Sequence, residues 1–131
     1  MATLTDRARA FVAAVAARAP VDEIAAFYAP DVVHEELPNR LLPKGLTRDL
    51  PALREANAKG RAVMSGETYE ILTATEQGER VVLEVAWTGT LAVALGNLQP
   101  GAVLKARFAQ VFEFRNGLIW RQRNYDCFEA W

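Results

Sequence analysis

The chain has 131 residues, of which 51% are hydrophobic, and its formal net charge is −1. This length suits one domain that buries a core without disulfides or metals, and we expect residues 1–131 to form it. Without a basic stripe, the composition argues against a nucleic-acid partner. Charged residues interrupt the apolar N-terminal run (Asp6, Arg7, Arg9, Arg18), so we also expect no membrane partner.

The sequence contains none of the common motifs for binding a metal or a cofactor. Cys127 and His34 are the only cysteine and histidine, which is too few for a zinc-type cluster or a multi-histidine centre. No glycine pattern of a phosphate loop or a dinucleotide fold occurs. We therefore expect no cofactor. A lone cysteine favours a reducing compartment, and the expected location is the cytoplasm.

The spacing of apolar residues predicts three helices in the first half of the chain. The first covers residues 4–19 and begins with a capping-box pattern. A short second helix covers residues 21–28. The third begins after a cap at Thr47 or Asp49, and Gly60 leaves its C-terminal half open.

The remaining segments predict β-strands. A first strand is expected at 32–37, with Leu41-Leu42 as a short edge strand. The later strands are expected to form a meander joined mainly by hairpin turns, at 68–75, 81–90, 103–114 and 118–126. Helices that precede a run of antiparallel strands are typical of an α+β fold.

Four segments in this order carry a family resemblance: IAAFYAPDVVHEEL, GLTRDLPALREA, VAWTGTLAVALGNLQPGAVLKARFAQVFEFRNGLI and RNYD. They resemble the SnoaL-like and nuclear transport factor 2-like superfamily, which includes ketosteroid isomerases and polyketide cyclases. The resemblance implies a cone-shaped, curved, mainly antiparallel sheet that encloses a pocket with three helices. It does not select one function, because dehydratases, epoxide hydrolases and non-enzymes share the fold.

The resemblance also implies which strand residues face the pocket. The isomerase base lies on the first strand, where Glu36 falls, so His34 and Glu36 share the inward face. The corresponding inward set on the other strands is Leu83, Val85, Trp87, Leu104, Ala106, Phe108, Gln110, Phe112, Phe114, Trp120, Gln122, Asn124 and Asp126. A shift of one residue would reverse these assignments.

Glu36, Asp126 and His34 are the candidate catalytic residues. Glu36 would act as a general base, because burial in an apolar pocket raises the pKa of a carboxyl. Asp126 resembles the acid/base aspartate of SnoaL-like cyclases, and its titration would be coupled to that of Glu36. His34 would polarise the substrate or pair with Glu36. A solvated or structural role is the alternative for each.

The candidate ligand contacts are aromatic rings and amides, namely Phe11, Tyr28, Trp87, Phe108, Gln110, Phe112, Gln122 and Asn124. The rings are interpreted as core residues first and ligand contacts second. Phe11 and Gln110 stand where ketosteroid isomerases place a tyrosine and a protonated aspartate, which disfavours steroid isomerisation. No arginine has inward parity in the predicted strands, which argues against the Asp-Arg-Asp chemistry of epoxide hydrolases.

Three functions remain open. The first is an acid–base isomerase, cyclase or dehydratase acting on an apolar carbonyl compound. The others are a non-catalytic protein that binds a small ligand and a protein-interaction module. The expected partners are a small apolar molecule and a second copy of the chain, bound through the outer sheet face that carries Val111 and Tyr125. Residues 91–102 are predicted to cover the pocket mouth or the subunit interface.

Overall fold

The computed structural model describes residues 2–131 and confirms the α+β architecture. Its elements in chain order are α1 (Leu4–Ala16), α2 (Val21–Ala25), β1 (Tyr28–Glu36), β2 (Leu46–Arg48), α3 (Leu50–Val63), β3 (Met64–Gln77), β4 (Arg80–Leu91), β5 (Val103–Arg115) and β6 (Leu118–Phe128). In residues 2–131 no helix is both long enough and apolar enough to cross a membrane.

Side-chain caps begin the two longer helices. Thr3 and Asp6 form the predicted capping box of α1, each side chain accepting a hydrogen bond from the other residue's backbone N–H at 3.0 Å. Of the two caps considered for α3, Asp49 is the one used, and its carboxylate accepts from the backbone of Ala52 at 3.0 Å. The helix continues through Gly60 to Val63.

One six-stranded sheet forms the frame, in the order β2-β1-β6-β5-β4-β3. All neighbours are antiparallel except β1 and β6, which are parallel. The sheet is mixed and not closed, and the three helices lie in the N-terminal half. The predicted alternation is confirmed in β4 and β5, where every second residue is buried.

The first strand and the edge strand differ from the prediction. β1 begins at Tyr28, where the sequence pattern predicts the end of the second helix. Residues 41 and 42 form no strand, because Asn39 Oδ1 accepts hydrogen bonds from both of their backbone N–H groups and holds them in a loop. The edge strand is instead β2, in which Arg48 lies opposite His34 and Leu46 lies opposite Glu36.

The inward assignment of Trp120 is wrong. The β5–β6 register shifts between Glu113 and Phe114, and Ile119 takes the fully buried position. The Trp120 ring instead lies beside the guanidinium groups of Arg115 and Arg121, at 4.8 and 3.9 Å. The irregularity restores the predicted parity from Gln122 onward.

The loop between β4 and β5 does not cover the pocket. Leu95 and Leu98 pair with each other and pack against the core cluster. No residue of this loop lines the main cavity, so the predicted lid is wrong. A role at a subunit interface stays a prediction.

Candidate functional site

A cavity of about 270 Å³ lies between the helices and the inner face of the sheet. The helices supply its apolar wall, made of Phe11, Val12, Val15, Ile24, Ala25, Leu50, Leu53 and Ala56. Arg54 and Gly60 of α3 line the same space and are exposed, so the cavity opens to solvent along α3. An apolar space with a few polar groups is how small-molecule sites are usually built.

An ion pair lies at the β1 end of this cavity. Arg48 Nη1 is 3.4 Å from Glu36 Oε1, and the side chains are 14% and 21% exposed. Both residues line the cavity. The expectation that no arginine faces the pocket is therefore wrong, because Arg48 belongs to an edge strand that the sequence did not predict. The argument from the sequence against the Asp-Arg-Asp chemistry of epoxide hydrolases therefore no longer holds.

Asp126 is a carboxyl with a perturbed pKa next to this ion pair. It lies on the same face of β6 as Asn124, although it does not itself line the cavity. Its Oδ1 is buried without a hydrogen-bond partner among residues 2–131. Burial, together with the nearby charge of Glu36, raises the pKa of Asp126 to about 7. The protonated form of Asp126 is therefore populated near neutral pH.

His34 is neutral and ends a chain of amides. Gln122 Nε2 donates to Asn124 Oδ1 at 3.0 Å, and Asn124 Nδ2 lies 3.4 Å from His34 Nε2. Because an amide nitrogen only donates, Nε2 accepts and the ring proton lies on Nδ1. Burial and the charge of Arg48 lower the pKa of His34 to about 4. The cation that pairs with Glu36 is thus Arg48 and not His34.

Glu67 and Tyr69 on β3 form a second polar wall that the sequence analysis missed. Glu67 Oε1 accepts hydrogen bonds from Trp87 Nε1 at 3.1 Å and from the Tyr69 hydroxyl at 3.4 Å. Burial raises the pKa of Glu67. The strand was predicted to begin at residue 68, which left Glu67 outside it. Glu67 and Tyr69 are two residues apart and so share one face of a strand, and this spacing would have indicated that the strand begins before residue 68.

The structure divides the predicted ligand contacts into two groups. Seven of the predicted site residues line the cavity together: Phe11, Tyr28, His34, Glu36, Gln110, Gln122 and Asn124. Three aromatic residues do not line it and lie in the core, namely Trp87, Phe108 and Phe112. Trp87 stacks on Phe108 with ring centroids 5.3 Å apart.

Tyr28 adds a neutral hydroxyl to the cavity wall. The residue is buried, and its burial raises the pKa of the phenol well above the usual value. The hydroxyl therefore keeps its proton at neutral pH and is available as a donor. Across residues 2–131, no three His, Cys, Asp or Glu side chains are grouped to hold a metal ion.

Comparison with known proteins identifies similar folds. The SnoaL-like domain family matches residues 8–122. IdmH from Streptomyces antibioticus, a candidate polyketide cyclase, is 16% identical, with a TM-score of 0.80 over 95% of this chain and 92% of that chain. A SnoaL-like polyketide cyclase from Agrobacterium tumefaciens is 18% identical, with a TM-score of 0.75 over 96% and 92%.

A nuclear transport factor 2-like protein of unknown function from Burkholderia pseudomallei is similar as well. It is 20% identical, with a TM-score of 0.76 over 98% of this chain and 92% of that chain. A search of the curated proteins finds no match. At these identities the structural likenesses establish the fold alone.

Proposed function

The chain belongs to the SnoaL-like domain family, and from that premise we propose that it is an enzyme that moves protons on a small, mostly apolar carbonyl compound. The observation that carries the proposal is that Glu36, paired with Arg48, and the neutral hydroxyl of Tyr28 line one cavity. A proton acceptor and a hydrogen-bond donor can therefore face the same substrate, which is the arrangement that acid–base catalysis needs. An isomerase, a cyclase and a dehydratase all use such a step.

The proposed step moves one proton to Glu36 and back. The Glu36 carboxylate takes a proton from the carbon next to the carbonyl, and the neutral hydroxyl of Tyr28, which lines the same cavity, donates a hydrogen bond to the carbonyl oxygen. The intermediate is an enolate held by that hydrogen bond, with Glu36 protonated. Return of the proton from Glu36 to a different carbon completes an isomerisation.

Deuterium exchange tests this proposal without knowledge of the natural substrate. The probe is 2-tetralone in D₂O, followed by NMR at the carbon next to its carbonyl. We expect the protein to accelerate the exchange and Glu36→Gln to lower that rate about 100-fold or more. Glu35→Gln is the matched control, because Glu35 neighbours Glu36 and does not line the cavity. Exchange no faster than in buffer would leave the chain as a binding protein.

The Glu36–Arg48 ion pair favours a second candidate, the hydrolysis of an apolar epoxide. The Tyr28 hydroxyl would donate a hydrogen bond to the epoxide oxygen as its C–O bond breaks. Water would attack the carbon and give a proton to Glu36, which passes it to the alkoxide oxygen, so that the product is a diol. Styrene oxide is the probe, and chromatography measures the diol. Diol formation that Glu36→Gln removes would support this candidate, whereas no diol above the buffer rate would contradict it.

We further propose that two copies of the chain associate through the outer face of β4, β5 and β6. The helices line the cavity on the inner face. On the outer face Val111 is half-buried and Tyr125 is 43% exposed. Two-fold dimers are the commonest form of soluble homo-oligomers. Light scattering should give twice the single-chain mass of 14.5 kDa, and a mass equal to one chain would contradict the proposal.

A further inference from the structure

The cavity has two polar ends that belong to opposite parts of the sheet. Glu36 on β1 and Glu67 on β3 both line it, although three strands separate β1 from β3. Glu36 pairs with Asn124 on β6, which in turn pairs with Gln110 on β5. Glu67 pairs with Gly89 on β4, which in turn pairs with Leu104 on β5. These positions lie six residues apart along β5, about 20 Å of extended strand. The two carboxyls therefore face one cavity from well-separated positions.

The Glu67 end presents a hydrogen-bond acceptor that its protein donors hold in place. Both donors, Trp87 Nε1 and the Tyr69 hydroxyl, bind Oε1. Oε2 receives no hydrogen bond from the part of the chain that the structure describes. A carboxylate accepts at both oxygens, so Oε2 is left for a ligand donor.

Arg18 supplies positive charge at this end without occupying the acceptor. Its guanidinium donates to the backbone carbonyls of Met64 and Arg61, at 2.8 and 2.9 Å. It lines the same cavity, and its charge acts to lower the pKa of Glu67 against the effect of burial. Arg18 is thus fixed by backbone contacts and favours the accepting form of Glu67.

Between the two ends the wall is apolar. Helix residues supply much of that stretch, namely Phe11, Val12, Val15, Ile24, Leu53 and Ala56, with Asn57 and Arg61 of α3 also on the cavity wall. The part of a ligand that lies against the apolar side chains would itself be apolar, because a polar group there would lose its water without gaining a partner. The matching ligand is apolar in its body and polar at both ends.

We propose that the protein takes an elongated, mostly apolar ketone with a hydroxyl group at the end remote from its carbonyl, and that Glu67 accepts the hydrogen bond of that hydroxyl. Which end receives the carbonyl rests on the proposed function of Glu36 and Tyr28. The contact with Glu67 rests on the hydrogen bonds from Trp87 and Tyr69 that hold Glu67 in the cavity wall. Glu67 is in this proposal a specificity-determining residue.

The test compares two ketones that differ by one donor. The probes are 4-(6-hydroxynaphthalen-2-yl)butan-2-one and its methyl ether, which keeps the oxygen and loses the O–H. Calorimetry or naphthalene fluorescence gives the two dissociation constants. For the unaltered protein we expect the hydroxy ketone to bind about 10-fold more tightly, because only it can donate a hydrogen bond to the Glu67 carboxyl.

Glu67→Gln should bring the two affinities to within about twofold of each other. Trp87 and Tyr69 would hold the amide oxygen and turn its NH₂ toward the ligand, and this donor serves a hydroxyl and a methoxy oxygen equally. Glu70→Gln is the matched control, because Glu70 lies on the same strand, is exposed and does not line the cavity. It should leave the preference intact.

Three outcomes would overturn the inference: equal binding of the two ketones, no binding of the hydroxy ketone at 1 mM, or an unchanged preference in Glu67→Gln. The first two need no variant, so a folding defect in Glu67→Gln does not affect them. Glu36→Gln and Asp126→Asn keep the Glu67 end and should keep the preference. If the protein prefers the hydroxy ketone over its methyl ether but does not accelerate deuterium exchange, the proposed enzymatic function is refuted. The inference about Glu67 is not affected by that result.

Discussion

Replacing Asp126 with asparagine should stabilise the protein at high pH. The pKa of this carboxyl rises from 3.8 to about 7 on folding, because burial and the charge of Glu36 disfavour its ionised form. A shift of this size, converted at 1.36 kcal/mol per unit, corresponds to about 4 kcal/mol when the group is fully ionised. Asparagine has nearly the same shape and carries no charge, so Asp126→Asn removes that cost.

The sign of the pH dependence follows from which state holds the proton more tightly. The folded state binds it more strongly, so the free energy of unfolding is unaffected below the unfolded-state pKa and falls as the pH rises through about 7. Asp126→Asn lacks this decline. Between pH 5 and pH 8 its stability relative to the unaltered protein should therefore grow by about 2–3 kcal/mol.

Urea unfolding at the two pH values measures this difference directly. Glu70→Gln serves as the control, since the Glu70 side chain is exposed and its removal should change stability equally at both pH values. A stability difference between Asp126→Asn and the unaltered protein that is the same at pH 5 and pH 8 would refute the assignment of a raised pKa. NMR titration of the Asp126 carboxyl would then give its true midpoint.

Two further predictions concern the frame that holds the site. Gly45→Ala should destabilise the protein by about 1–3 kcal/mol more than Gly78→Ala in urea unfolding. Both glycines have positive φ, but only a Cβ at residue 45 would lie 2.6 Å from the carbonyl oxygen of Glu36. Equal losses of stability in the two variants would show that the loop moves aside and would contradict this prediction. Leu83→Ala, at a fully buried position, should cost about 2–5 kcal/mol. Leu72→Ala on β3, at a side chain 39% exposed, should cost under about 0.5 kcal/mol, and similar losses at the two sites would contradict the assigned burial of Leu83 on β4.

Local sequence patterns were sufficient for most of the frame. The capping box of Thr3 and Asp6 marks where α1 begins, because its hydrogen bonds join residues three positions apart. Alternation in β4 and β5 predicts their buried faces, since successive side chains of a strand point to opposite sides. The same alternation, anchored by the family resemblance, placed Gln110 and Asn124 on the cavity wall.

The polar chemistry of the cavity depends on contacts that no local pattern encodes. Arg48 meets Glu36 only because a loop held by Asn39 delays the edge strand to residues 46–48. Ile119 replaces Trp120 in the core because one irregularity shifts the β5–β6 register. Alternation of period two predicts a face but not which strand lies opposite or where the register shifts.

The two ends of the cavity illustrate the same distinction. The sequence shows that Glu36 and Glu67 are acidic residues in or beside strands, which defines their chemistry. Their position on one cavity depends on the sheet order, which places three strands between β1 and β3, and on the helices that close the space between them. The pKa of Asp126 is likewise a property of burial and of one neighbouring charge, and both arise only when distant segments pack together.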